Sequence, residues 1–107
     1  MKKMKAVYLL GVLSLLIAGC SNHYYRIDQE GLSLYLKSED ARNVFFFSSL
    51  DGFTPHETKK YGGQWVITIP DSREFRYFYL VDGEVYTPEC PLREIDDFGK
   101  ENCVYIP

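Results

Sequence analysis

The sequence predicts an all-β protein built as an antiparallel β-sandwich, and three observations carry that expectation. Downstream of residue 30 no stretch sustains a 3.6-residue apolar period, so a helix there would have no apolar stripe to bury. Short apolar or alternating runs, about six of them, recur instead. Turn residues punctuate these runs roughly every eight to twelve residues, the spacing of a sandwich rather than of alternating strands and helices.

In chain order, Ser21 to Gln29 is polar without a clear period and reads as a tether of about ten residues, reaching at most ~35 Å. Leu32, Leu34 and Leu36 alternate with Ser33, Tyr35 and Lys37, which gives a strand one apolar face. Ser38 to Asn43 is a polar turn. Val44 to Phe47 is apolar at every position, as for a strand buried on both faces or central to a sheet. Asp51-Gly52 and Gly62-Gly63 punctuate a loop. Trp65 to Ile69 is rich in β-branched residues and closes at Pro70-Asp71. Phe75 to Val81 is the strongest strand, with Phe75, Tyr77, Tyr79 and Val81 on one face and Arg76, Phe78 and Leu80 on the other. Asp82-Gly83 suits a tight hairpin turn with positive φ. Glu84 to Thr87 leads out of it, Pro88 and Pro91 end that run, and Asn102 to Ile106 is the last strand.

The N-terminal region carries a different signal. Lys2, Lys3 and Lys5 precede an uncharged apolar run from Ala6 to Ala18, shorter than the ~20 residues a membrane-spanning helix needs. A basic start, a short apolar run and small residues after it describe a cleaved signal peptide. Leu16-Ile17-Ala18-Gly19-Cys20 resembles the lipobox of bacterial lipoproteins. That resemblance implies cleavage just before Cys20 and acyl chains on its sulfur and new N-terminus, enough to hold the chain firmly in a membrane. The expected organisation is a signal peptide over 1–19, a lipidated N-terminus and tether over 20–30, and a β-sandwich over 31–107. Ser21 after the cysteine resembles lipoproteins sorted to the outer membrane in enteric-type bacteria, so the expected location is the cell envelope, anchored to the outer membrane.

Removing residues 1–19 from the 107 leaves 88, one small domain. The signal holds three of the twelve Lys/Arg and none of the fifteen Asp/Glu, so the remainder has nine bases against fifteen acids, a formal −6. Such a charge excludes nucleic acid as the expected partner. Cys90 and Cys103 remain once Cys20 carries lipid; in an exported chain they are permitted to oxidise to a disulfide, the other reading being two buried thiols.

Four segments share a further resemblance: Val44 to Pro55, Gly63-Gln64-Trp65, Tyr77-Phe78-Tyr79-Leu80-Val81-Asp82-Gly83, and Asp96-Asp97-Phe98-Gly99-Lys100-Glu101-Asn102-Cys103-Val104. Their order and spacing, over roughly residues 32–106, resemble the glycogen-recognition type of carbohydrate-binding module found in branching and debranching enzymes and in the β-subunit of AMP-activated kinase. The resemblance implies an immunoglobulin-like sandwich of the early-set class. It also implies a sugar site in which Phe53 stands where the family stacks an aromatic on a sugar ring and Asn102 where it supplies an amide for hydroxyls. Two positions depart from the family. Val85 replaces a second stacking Trp, with Tyr86 beside it, and Phe78 replaces a lysine used for hydroxyls.

Residue types suited to catalysis are few. His23 falls in the tether and His56 in a loop with only Glu57 beside it, so no metal or cofactor is expected. Glu94, Asp96 and Asp97 lie in one polar turn, unlike the opposed carboxylates of a glycosidase. No nucleophile elbow or phosphate loop is present. Trp65, Tyr77 and Tyr79 read as core. The expected function is a non-catalytic recognition module, with Phe53, Phe78, Tyr86 and Asn102 as candidate contact residues. Its partner is an envelope protein, or a structural neighbour, ahead of an α-glucan or other envelope oligosaccharide.

Overall fold

The structure is a computed structural model that describes residues 22–70 and 73–107. The signal peptide, Cys20, Ser21 and the Asp71 half of the Pro70-Asp71 turn lie outside the described residues. Among the described residues ten strands follow in order: β1 His23–Asp28, β2 Gly31–Lys37, β3 Val44–Ser48, β4 His56–Glu57, β5 Lys59–Tyr61, β6 Gln64–Ile69, β7 Phe75–Val81, β8 Glu84–Tyr86, β9 Arg93–Ile95 and β10 Glu101–Tyr105. One sheet runs β1-β2-β6-β5; the other runs β4-β3-β7-β10-β9, with β8 also paired to β7. Every pairing is antiparallel. The two sheets make the all-β antiparallel sandwich that the strand pattern predicts, with the immunoglobulin-like form that the resemblance implies.

Period-two polarity decides which side chains meet between the sheets. Leu32, Leu34 and Leu36 of β2 sit opposite Ile69, Ile67 and Trp65 of β6, so all six point inward from the first sheet. Phe46, Phe75, Tyr77, Tyr79, Cys103 and Tyr105 answer from the second. Each fully buried Leu or Phe contributes about 1.5–3 kcal/mol. Phe46 lies 5.5–6.4 Å, centroid to centroid, from Phe75, Tyr77 and Tyr79, two of the three contacts edge-on, the arrangement that aromatic quadrupoles favour. Trp65 is buried, as its strand position suggests, and its Nε1 donates to Ser38 O at 2.9 Å.

One expectation requires correction, and another is decided between its two readings. Val44 to Phe47 is a strand central to its sheet, between β4 and β7, and is not buried on both faces. Val44 and Phe46 face the core, while Phe45 and Phe47 are half-buried on the outer face, because no layer covers that side of the sheet. The stretch read as a tether supplies β1, paired to β2 from His23↔Leu36 to Asp28↔Gly31. Only His23 of that strand is buried, so the strand shows no apolar alternation and its sequence gives no period-two signal.

His23 enters the core by satisfying both ring nitrogens. Nδ1 lies 2.8 Å from Tyr35 O, a carbonyl that only accepts, so Nδ1 carries the proton. The Tyr77 hydroxyl then donates to Nε2 at 2.8 Å. Burial holds the imidazole pKa below its ordinary 6.5, against a smaller opposing pull from the Tyr35 carbonyl. The unfolded chain therefore binds this proton more readily than the folded one. The stability contributed by neutral His23 is complete above about pH 6.5 and falls as pH drops below that value towards the depressed folded one. Urea unfolding between pH 8 and pH 5 is expected to show this loss, and His23→Gln to flatten it; an unchanged slope in the variant would count against the assignment.

Candidate functional site

The outer face of the second sheet collects the residues that the sequence singles out, together with some that it does not. Phe78 of β7 points away from the core and sits opposite Phe47 of β3. Their rings are parallel, 4.9 Å apart with 6° between planes. On the other flank of β7, the Lys100 Nζ lies 3.7 Å from the Phe78 ring centroid, a cation–π contact at short range. Phe53 leans on the same ring at 5.9 Å and 20°. The Phe53 ring is 39% exposed, and its backbone takes φ 62°, held by its N–H on Ser48 O at 2.8 Å. A non-glycine residue at positive φ is uncommon and here serves to aim the ring. Around this cluster Phe45 and Val85 flank Leu80 through cross-strand pairs, which widens the apolar face.

Asn102 stands on the same face, since the next residue, Cys103, pairs with inward-facing Tyr77. It is 5% exposed, much more enclosed than a ligand residue on an open platform. Its side chain hydrogen-bonds Asp96, and its Oδ1 has no partner among the described residues. Asp96 organises the β9–β10 turn. Its Oδ1 accepts from the N–H of Lys100 and of Phe98, each at 2.9 Å, and these N–H groups, Lys100 foremost, hold its carboxyl below the usual range. The turn thereby fixes where Lys100 leaves the backbone, and it displays Phe98, which is 94% exposed.

Of the four candidate contact residues, the structure brings Phe53, Phe78 and Asn102 together and leaves Tyr86 apart. Tyr86 pairs with Tyr79 and therefore faces the core side, where its hydroxyl accepts from Asn22 Nδ2 at 2.9 Å. Val85 takes the outward position instead. The members missed by sequence reading are Phe47 and Lys100. Period two already places Phe47 outward once Phe46 is core, but its pairing with Phe78 depends on the β3–β7 register, and the Lys100 contact on the turn built by Asp96. His56 contacts Asp51 rather than joining this cluster. Arg76 closes the lower edge through Glu94 at 2.8 Å and Glu74 at 2.7 Å, exposed pairs that orient more than they stabilise.

Cys90 and Cys103 form a disulfide beneath this face, with a Cα–Cα distance of 6.0 Å. Neither protein-family models nor curated proteins give a match to the chain.

Proposed function

We propose that this protein is a non-catalytic recognition module of the bacterial envelope, anchored through Cys20, whose Phe47–Phe78–Phe53–Lys100 face docks a protein partner. The observation that carries the choice of partner is the state of Phe78. One face of its ring is covered by Phe47 and the flank towards β10 by the Lys100 ammonium. A sugar platform needs open, flat aromatic faces; this ring is spent on its own neighbours. What remains outward is an apolar cluster with a fixed cation at its centre, the composition of a small hot spot.

A second reading, an α-glucan or other envelope oligosaccharide, draws on Phe53 alone. Its half-exposed ring stands where the resembled modules stack a sugar. Two measurements separate the readings. A photoreactive residue at position 53 in living cells is expected to give one discrete protein adduct. That adduct should weaken in Phe78→Ala, which is expected to cost about 1–3 kcal/mol of binding. Titration of the purified chain with maltoheptaose is expected to leave the amide resonances of Phe53 and Asn102 in place. Movement of those resonances, with no adduct in cells, would replace the protein reading by the sugar one.

A further inference from the structure

A different surface, the edge of β1 that pairs with no other strand among the described residues, carries a second kind of recognition. Edge strands are usually short, kinked or guarded by inward-pointing charge. The other edges of this sandwich follow that rule: β4 has two residues, and β5 and β9 have three each. β1 has six, and its pairing to β2 is continuous along its whole length. It contains no proline, and its charged residues, Arg26 and Asp28, both lie on the outer face.

The inner face of β1 is apolar beyond His23 and only partly covered. Tyr25 and Ile27 sit opposite Leu34 and Leu32 and so point to the core side, yet they are 50% and 62% exposed, and the second sheet reaches Tyr25 only through an edge-on contact from the Tyr105 ring at 5.2 Å. The backbone is equally available. Lys37 N donates to Asn22 O, which makes Asn22 and, by alternation, Tyr24, Arg26 and Asp28 the residues bonded to β2. The N–H and C=O groups of Tyr25 and Ile27 therefore point away from β2, to the edge that no described strand pairs.

We infer that the Arg26–Asp28 stretch of this edge pairs with the same stretch of a second copy of the chain, antiparallel about a two-fold axis through Ile27, which joins two four-stranded sheets into one; Gln29 and Glu30, the turn into β2, end the ladder. The register follows from charge and from the faces. A two-fold axis normal to the sheet must pass through a residue if inner faces are to meet inner faces. An axis at Arg26 would set that cation against its own copy. An axis at Tyr25 would set Arg26 against Tyr24, whose ring is already stacked on Tyr35 at 4.8 Å and whose hydroxyl is held by Gln64 at 2.7 Å. The axis at Ile27 places Ile27 on Ile27 of the partner subunit, on the inner face. On the outer face it sets Arg26 against Asp28 of the partner subunit, twice by symmetry. Arg26 has no ion pair of its own among the described residues, so it is available for that contact. An isologous edge pairing of this type closes at two copies.

The test is the number of chains per particle for the full protein in detergent micelles, followed by sedimentation across a dilution series. The wild type is expected to hold two chains and to dissociate on dilution. Arg26→Asp and Asp28→Arg are each expected to shift the dissociation midpoint by about tenfold, as two attractive cross-strand pairs become repulsive. The double variant R26D/D28R is expected to restore it. Ile27→Pro removes an N–H that points away from β2, so it should leave the β1–β2 ladder and the melting temperature in place while giving one chain per particle. A wild type with one chain throughout would overturn the inference. So would a dimer that survives Ile27→Pro, or a double variant no better than the singles. None of these outcomes bears on the Phe78 face, which lies on the other sheet.

Discussion

Gly31→Ala is expected to lower the unfolding free energy by about 3–5 kcal/mol, among the largest single-residue effects in this chain. Gly31 opens β2 directly after the turn from β1 and takes φ +122°, where a side chain is strained in any surroundings. The position is also crowded. A Cβ there would lie 2.3 Å from Ile69 O and 2.9 Å from Pro70 Cα, both backbone atoms that have no rotamer by which to yield. Relief requires the end of β6 to move away from β2, which uncovers Leu32 and Ile69 at that end of the core. Gly52→Ala is the internal comparison. Its φ is +71°, but nothing stands within 4 Å of the added methyl, so only the backbone strain of about 1–2 kcal/mol is expected. Urea unfolding followed by circular dichroism measures both. Equal losses at the two positions would contradict the close approach of β2 to Pro70.

Loss of the Cys90–Cys103 disulfide is expected to cost about 3 kcal/mol, the entropy that a closed loop of this length removes from the unfolded chain. The bridge joins the segment after β8 to β10, with thirteen residues of sequence separation, and so confines the whole of β9 and the Asp96 turn. Small domains have total stabilities of about 5–15 kcal/mol, so the bridge is a large share. It also bears on the candidate site, because the Asp96 turn positions Lys100 over Phe78. Reduction followed by alkylation is expected to lower the urea midpoint and to broaden the Asp96–Lys100 amide resonances before the core of β2 and β6 is affected. A midpoint that is indifferent to reductant would remove the bridge from the stability of the fold. The compartment expected from the Cys20 signal permits oxidation, which links this measurement to the proposed envelope location.

Legibility varied with how each element meets the core. β2 and β7 could be read residue by residue, faces included, because each places three aromatic or aliphatic side chains into the interior at strict alternation. β6 and β10 were found to within a residue. The Asp82-Gly83 turn was read correctly, with φ of 49° and 86°, and Asp82 does more than turn the chain: its Oδ1 accepts from the N–H groups of Arg42 and Asn43, each at 2.8 Å. The edge elements β1, β4, β5 and β9 were missed. They expose nearly every side chain, so nothing in their polarity distinguishes them from loop; their pairing is dictated by the neighbours that they complete.

By itself, then, the sequence determined the sandwich, the inward faces of β2 and β7 and the outward direction of Phe78. These follow from side-chain polarity alternating at the period of the pleat, a purely local property. Tertiary structure alone decided that Phe47 and Lys100 flank Phe78, that Asn102 is enclosed, that Tyr86 faces away, and that a polar segment becomes an edge strand. Those outcomes depend on which strands lie side by side and in what register, and register is set by the packing of the whole interior rather than by any residue within the site.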